Sequence, residues 1–319
     1  MASWRAVRGL NQPGLKMSPE VEIQIIAALV SVACATIGIF LVLRKKAMIT
    51  DSVSHSILPG IAAGFILTGS VTSPLLVFGA FAAAIASVFS SEALARLRLM
   101  SNDSAIAFVY PFLFSIGVIL VSGYAGNAHL DVDSVLLGEL ALAPLDRIII
   151  GGTDIGPFAL YSSGAIAVLC AVFVAIFYKE LKLSAFDESA AKTAGFSKFV
   201  FSAAFSAVVC ATCIVAFGAV GSVLLIALVA TPPCCALLLT DRLGRAIVLS
   251  AAIAAACSVT GFHAAVKWNT NIAGAATTVL GVVFILILIF SPRKGIVSSL
   301  VENRRREKQI QAALRKLSS

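Results

Sequence analysis

Charged residues are scarce in this chain of 319 residues. They make up 13% of the sequence, whereas hydrophobic residues make up 59% and the mean hydropathy is +1.00. Because soluble domains carry roughly a quarter charged residues, this composition excludes an ordinary soluble protein. The formal net charge of +8 is then better explained by basic cytoplasmic loops than by binding to nucleic acid.

The motifs of nucleotide-binding and hydrolytic enzymes are also missing. None of the 23 glycines is followed by lysine, which excludes a Walker-type phosphate loop. Neither a Gly-x-Ser-x-Gly nucleophile motif nor a His-Glu-x-x-His metalloprotease motif occurs. We therefore expect no hydrolytic or covalent chemistry in this chain.

The seven cysteines predict no disulfide framework, because all of them lie in apolar runs where cysteine behaves as a small buried hydrophobe. Cys210 and Cys213 form a Cys-x-x-Cys on a predicted helix, but no second pair is present to complete a zinc knuckle. An intramembrane redox protein built on this pair is therefore the least favoured interpretation.

Long apolar windows are what the sequence does have. They lie near residues 21–43, 48–69, 72–94, 104–124, 156–178, 199–218, 221–240, 246–266 and 272–291. Each is long enough to cross a bilayer as a helix, so the pattern predicts an all-α polytopic membrane bundle of about nine crossings. The segment 124–157 is ambiguous: it could lie in the interface, re-enter the membrane or contain a further crossing.

The basic residues predict the orientation of the chain. If Arg44–Lys46 is cytoplasmic, alternating loops place 19 of the 24 lysines and arginines on that side, which puts the N terminus outside and the C terminus inside. We divide the chain into a polar N-terminal extension over 1–19, a transmembrane domain over 20–295 and a basic cytoplasmic tail over 296–319. The apolar spacing of the tail predicts a helix.

The second window carries an acid and an imidazole, Asp51 and His55, one helical turn apart. Ionisable groups at membrane depth usually face a bundle interior or an aqueous path, and the i,i+4 spacing points both groups the same way. Carboxylate and neutral imidazole together suit manganese, zinc or ferrous iron, so the pair predicts a metal-ion transporter. Alternatively, Asp51 caps the cytoplasmic end of the helix.

Further residues of the same window support a transport path. Pro59 removes a backbone donor and frees a carbonyl that can coordinate a cation, while Gly60 and Gly64 let another helix approach closely. Outside this window, Glu139 lies in the run LLGELAL. It could be a ligand at a gate or an interfacial residue.

The loop at residues 179–198 predicts a short cytoplasmic helix, with Ser184 a candidate cap and Gly195 a stop signal. Such a helix could be a plain connection. Its small, alanine-rich face also suits docking into a groove of another protein.

From about Glu20 to Gly295 the sequence resembles the membrane permeases of bacterial ABC importers for manganese, zinc and iron. The motifs that carry the resemblance are Val42–Lys46 followed by Asp51, then Ser54-His55-Ser56 and Leu58–Ala62, Leu136–Glu139, Phe186-Asp187 with Ala191 and Gly195, Gly221–Pro232 and Ser291–Gly295. The sequence departs from the family pattern at three places. Leu137 replaces a common aromatic residue, and Trp268–Asn271 replaces a segment in which many relatives carry an acid. Pro232-Pro233 followed by Cys234-Cys235 replaces a proline–alanine run.

The resemblance implies a multi-pass transport subunit in the bacterial inner membrane, with ATP hydrolysis on a separate subunit. It implies three kinds of partner: a second permease chain, identical or paralogous, a cytoplasmic ATPase dimer, and an extracytoplasmic metal-binding protein. It adds no permanently bound cofactor, only the transported metal, for which Asp51, His55 and Glu139 are the candidate ligands. The residues implied to contact the ATPase are Phe186, Asp187, Ala191 and Gly195.

The main alternative is an ion-coupled secondary metal transporter that exchanges protons at Asp51 and His55. Such carriers usually contain internal repeats with paired broken helices. No second Asp-x3-His-x3-Pro segment occurs in the sequence, which favours the importer.

Overall fold

The computed structural model describes residues 18–70, 73–97, 100–124, 140–141, 143–144, 146–150, 153–186, 198–291 and 295. The helices in these ranges are α1 (Pro19–Leu43), α2 (Ile49–Thr68), α3 (Pro74–Arg96), α4 (Asn102–Tyr124), α5 (Phe158–Ile176), α6 (Tyr178–Phe186), α7 (Lys198–Val220), α8 (Ser222–Leu239), α9 (Leu243–Trp268) and α10 (Ile272–Phe290). One hairpin, of strands β1 (Arg147–Ile150) and β2 (Thr153–Pro157), precedes α5.

The nine apolar windows correspond to the nine long helices. By length and composition, eight of these helices within the described residues can cross a membrane. The ninth, α2, is less apolar than these eight, because Asp51, His55 and several serines lie in it, yet its 20 residues are long enough for a crossing. The all-α polytopic bundle predicted from the sequence is confirmed.

Helix α1 forms the centre of the bundle, with 72% of its most apolar window buried inside the protein. A helix that is apolar all round has no preferred outer face, and α1 accordingly packs against α5, α8 and α9. The hydroxyls of Ser31 and Ser258 hydrogen-bond between α1 and α9. Gly38 lets α8 approach closely, since a Cβ at this position would lie 2.2 Å from the carbonyl oxygen of Val229.

The hairpin removes part of the ambiguity at residues 124–157. Residues 147–150 and 153–157 form two antiparallel strands, with Arg147 opposite Pro157, and therefore do not form a membrane-spanning helix. A buried ion pair fastens the hairpin to the first turn of α1: the carboxylate Oε1 of Glu22 lies 2.7 Å from a guanidinium nitrogen of Arg147. Residues 125–139, 142, 145 and 151–152 of this segment lie outside the described residues.

Candidate metal-binding site

A tight turn connects α1 to α2. The backbone N–H of Lys46 donates to the carbonyl of Leu41 over 2.8 Å, and that of Lys45 donates to Val42 over 3.0 Å. This is the Schellman pattern of a helix end, which needs one residue in the left-handed region. Here Lys45 takes that conformation, with φ of +55°, although glycine is the usual choice.

Asp51 is the third residue of α2 and does not cap it. The N-cap position belongs to Met48, and no side chain makes a capping hydrogen bond there. The alternative of Asp51 as the capping residue is therefore wrong. A carboxylate in the first turn is still stabilised by the positive end of the helix dipole.

The side chains of Asp51 and His55 face each other. Oδ1 of Asp51 lies 3.4 Å from Nε2 of His55, and each side chain is about one third exposed, at 30% and 32%. Two ligand atoms about 2.1 Å from one tetrahedral ion lie about 3.4 Å apart, so one divalent ion can bind both atoms.

Two aromatic residues of α4 hold the imidazole in place. The ring of Tyr110 stacks on His55 at 5.8 Å between centroids and 29° between planes. Phe114 contacts the same ring edge-on, at 5.8 Å and 83°. Because rings in contact restrict the rotamers of the histidine, its Nε2 stays directed towards Asp51.

Pro59 interrupts the hydrogen-bond ladder of α2 one turn beyond His55. It has no N–H, so the carbonyl of His55 does not receive the helical hydrogen bond that residue 59 would otherwise donate. Helix α4 approaches closely at this point, because a Cβ on Gly117 would lie 2.8 Å from the nitrogen of Pro59. A backbone oxygen without its helical partner therefore lies beside the acid–imidazole pair.

Glycines hold α2 against α3. A Cβ on Gly60 would lie 2.0 Å from the carbonyl oxygen of Gly79, and a Cβ on Gly79 would lie 2.3 Å from that of Gly60. One turn further along, a Cβ on Gly64 would lie 2.9 Å from the carbonyl oxygen of Leu75. Such close approach of two backbones requires a small residue at the crossing point.

Serines complete the contact between α2 and α3. The hydroxyl of Ser52 hydrogen-bonds that of Ser87 over 2.8 Å, and Ser56 donates to the same oxygen over 2.9 Å. All three serines are buried. With one side of α2 bound to α3 in this way, Asp51 and His55 lie on the side that faces α4.

Several candidate residues fall outside this arrangement. Glu139, Asp187, Ala191 and Gly195 lie outside the described residues. Phe186, at the end of α6, is described and exposed. Within the described ranges, no three His, Cys, Asp or Glu side chains come close enough to hold one metal ion.

Two sequence-based expectations need separate mention. Ser184 lies inside α6 rather than before a helix, so its assignment as an N-cap is wrong; α6 continues to Phe186. All seven cysteines are unpaired, and six of them are buried. Cys210 and Cys213 are buried among apolar side chains of the core.

The residues that surround the pair were not predictable from the sequence pattern. Tyr110 and Phe114 contact His55 from α4, and Ser87 and Gly79 fix α2 from α3. The available signals were a tyrosine followed by Pro111 in the fourth window and a lone glycine in the alanine-rich third window. Neither signal indicates which helix its residue contacts.

The chain is similar to known metal-transport membrane proteins. The chain is 44% identical over 276 residues to the zinc transport system membrane protein TroD of Treponema pallidum, covering 86% of this chain and 75% of that protein. It is 36% identical over 293 residues to the manganese transport system membrane protein MntD of Bacillus subtilis, covering 92% and 99%.

A solved structure, PsaBC from Streptococcus pneumoniae in complex with Fab, has the same fold. Its TM-score is 0.72 at 22% identity, covering 91% of this chain and 97% of that one. The model of the ABC 3 transport family matches residues 21–291, a range that includes α1 to α10 almost entirely. With a match of this extent and relatives of this identity, the chain belongs to the ABC 3 transport family.

Proposed function

We propose that this chain is the membrane-spanning subunit of an ATP-driven importer for a divalent transition metal ion, working in a bacterial inner membrane. The observation that carries the proposal is the spacing of 3.4 Å between Asp51 Oδ1 and His55 Nε2 in a chain of the ABC 3 transport family. Membership of this family supports ATP-driven transport rather than the alternative, an ion-coupled secondary carrier.

The donor atoms indicate which metals fit. One carboxylate oxygen and one imidazole nitrogen suit zinc, manganese and ferrous iron. Two of these metals occur in the names of the relatives TroD and MntD. The pair binds the ion transiently as cargo, and we propose no permanently bound cofactor.

A second permease chain would complete the coordination. Asp51 and His55 are about one third exposed, so a neighbouring chain can reach them. Two copies related by a two-fold axis would bring two acid–imidazole pairs together, which gives the four ligands of a tetrahedral ion. Glu139 is a further candidate ligand.

We propose that the turn between α1 and α2, the helix α6 and the C terminus share the cytoplasmic side. A hydrogen bond between Arg44 and Ser184 supports a common side for the turn and α6. The 19 basic residues on this side support the cytoplasm as its location. An ATPase dimer would then contact Phe186 and the coupling residues Asp187, Ala191 and Gly195, and a metal-binding protein would deliver the ion on the opposite face.

Metal uptake in a transport-deficient bacterium tests the proposal. The chain is co-expressed with its ATPase and metal-binding protein, and cellular zinc, manganese and iron are measured by elemental analysis. Asp51→Asn and His55→Ala should abolish the ATPase-dependent uptake. Asp103→Asn and His263→Ala are matched controls, because both residues are exposed and lie outside the site. Uptake that persists with an inactive ATPase would contradict the importer and favour the secondary carrier.

A further inference from the structure

Arg44 contacts both helices that flank residues 187–197. Its guanidinium donates a hydrogen bond to the hydroxyl of Ser184, near the end of α6. The same group lies over the ring of Phe205 in α7, with its Cζ 4.3 Å from the ring centroid. Phe201, one turn earlier in α7, lies 5.7 Å away. One side chain therefore joins the two helices on either side of the proposed coupling segment.

The same residue also belongs to the turn that leads into α2. Arg44 is the C-cap of α1, and Asp51 follows it seven residues later, in the first turn of α2. The turn is short and closed by backbone hydrogen bonds: Ile49 donates to the carbonyl of Lys46, and Ser52 donates to that of Met48. Because the turn is short, a displacement of Arg44 should move the start of α2 as well.

The far side of this turn is fixed to α3. Nζ of Lys46 lies 2.7 Å from Oε1 of Glu92, and Arg96 lies 3.9 Å from the other oxygen of the same carboxylate. The side chain of Glu92 is 17% exposed and that of Lys46 30%, so solvent screens their attraction only in part. The turn is thus held between α3 on one side and the helices α6 and α7 on the other.

We propose that Arg44 is a positioning residue that links α6 and α7 to the metal pair. ATP-driven displacement of α6 and α7 is transferred by Arg44 to Asp51 and His55. This inference rests on the proposed function. Arginine suits the role because its planar group stacks on an aromatic ring while its edge donates hydrogen bonds; lysine does not do both in this geometry.

The test uses the complex of this chain with its ATPase in proteoliposomes, with zinc and manganese as the probes. Both ATP hydrolysis and metal uptake are measured, and their ratio is compared between variants. Arg44→Ala and Arg44→Lys should retain ATPase binding and hydrolysis but lower metal uptake per ATP by about tenfold. Arg245→Ala is the matched control, because Arg245 is exposed at the start of α9 on the same proposed side.

Two further variants keep the test decisive if Arg44→Ala does not fold. Ser184→Ala and Phe205→Leu each remove one partner and leave Arg44 in place; both should lower the same ratio. If the wild type is active and uptake per ATP is unchanged in all four variants, the role of Arg44 is overturned while the proposed function still stands. Full recovery in Arg44→Lys would also overturn it, since charge would then suffice. A wild-type complex without ATP-dependent uptake would instead overturn the proposed function.

Discussion

Gly60 and Gly79 meet backbone to backbone where α2 crosses α3. A methyl group at either position would lie within 2.3 Å of the carbonyl oxygen of the other glycine. The contact fixes the helix that carries Asp51 and His55 at a distance from α3 that no larger residue allows.

Gly60→Ala should therefore separate the two helices and destabilise the protein by about 1–3 kcal/mol. Gly164→Ala is the control, because no heavy atom lies within 4 Å of its new Cβ, and alanine is the better helix former. Thermal unfolding of the purified protein in detergent measures both variants. Equal melting temperatures for Gly60→Ala and the wild type would contradict this account of the contact.

Glu22 and Arg147 form a buried ion pair between α1 and the hairpin, with only 5% and 20% of their side chains exposed. Glu22→Gln should lower the free energy of unfolding by about 3 kcal/mol. The reason is that Arg147 then keeps its charge in a buried position without the opposite charge of Glu22. The double variant Glu22→Gln with Arg147→Met should be more stable than the sum of the single effects predicts. Thermal melts of the wild type, the two single variants and the double variant form a double-mutant cycle. Additive effects would show that the two residues do not interact.

Lys45 has a backbone conformation that favours glycine. Lys45→Gly should stabilise the helix end by about 1 kcal/mol, since a left-handed φ is costly for a residue with a Cβ. Lys45→Ala removes the same side chain but keeps the Cβ, and should bring no such gain. A comparison of their melting temperatures separates the two effects, and equal stabilisation by alanine would contradict the backbone explanation.

The ring of Tyr110 orients the imidazole of His55 by stacking on it. Tyr110→Phe retains the ring and should leave the apparent KM for metal uptake nearly unchanged. Tyr110→Ala should raise that KM by about tenfold, because loss of a group that orients a metal ligand typically weakens metal binding by about this factor. The measurement is the initial rate of uptake against metal concentration. An unchanged KM for Tyr110→Ala would show that the ring does not position the ligand.

Local patterns in the sequence were sufficient to predict the long helices. Each apolar window ended close to a helix end, because solvent-exposed polar residues and turn residues mark the membrane boundaries on both sides. It was also predictable that Asp51 and His55 lie on the same face of α2, because residues spaced i,i+4 are neighbours on a helix surface.

Contacts between distant residues were not predictable in this way. Glu22 and Arg147 are 125 residues apart, and Arg44 and Ser184 are 140 residues apart. Nothing in their local sequence specifies a partner, because such pairs depend on how whole helices pack. Ser184 was misassigned for a related reason: α6 begins only one residue after α5, so the helical stretch runs on past the expected cap.

The most direct test of the central claim is to detect His55 as a ligand of the metal. The chain is labelled with ¹⁵N-histidine, assembled with an unlabelled ATPase and loaded with Mn²⁺. Electron spin-echo spectroscopy then detects a histidine nitrogen of this chain bound to the ion. The wild type and His263→Ala should show the ¹⁵N coupling, and His55→Ala should lose it. A coupling that persists in His55→Ala, or that is absent from the wild type, would contradict a metal site at Asp51 and His55.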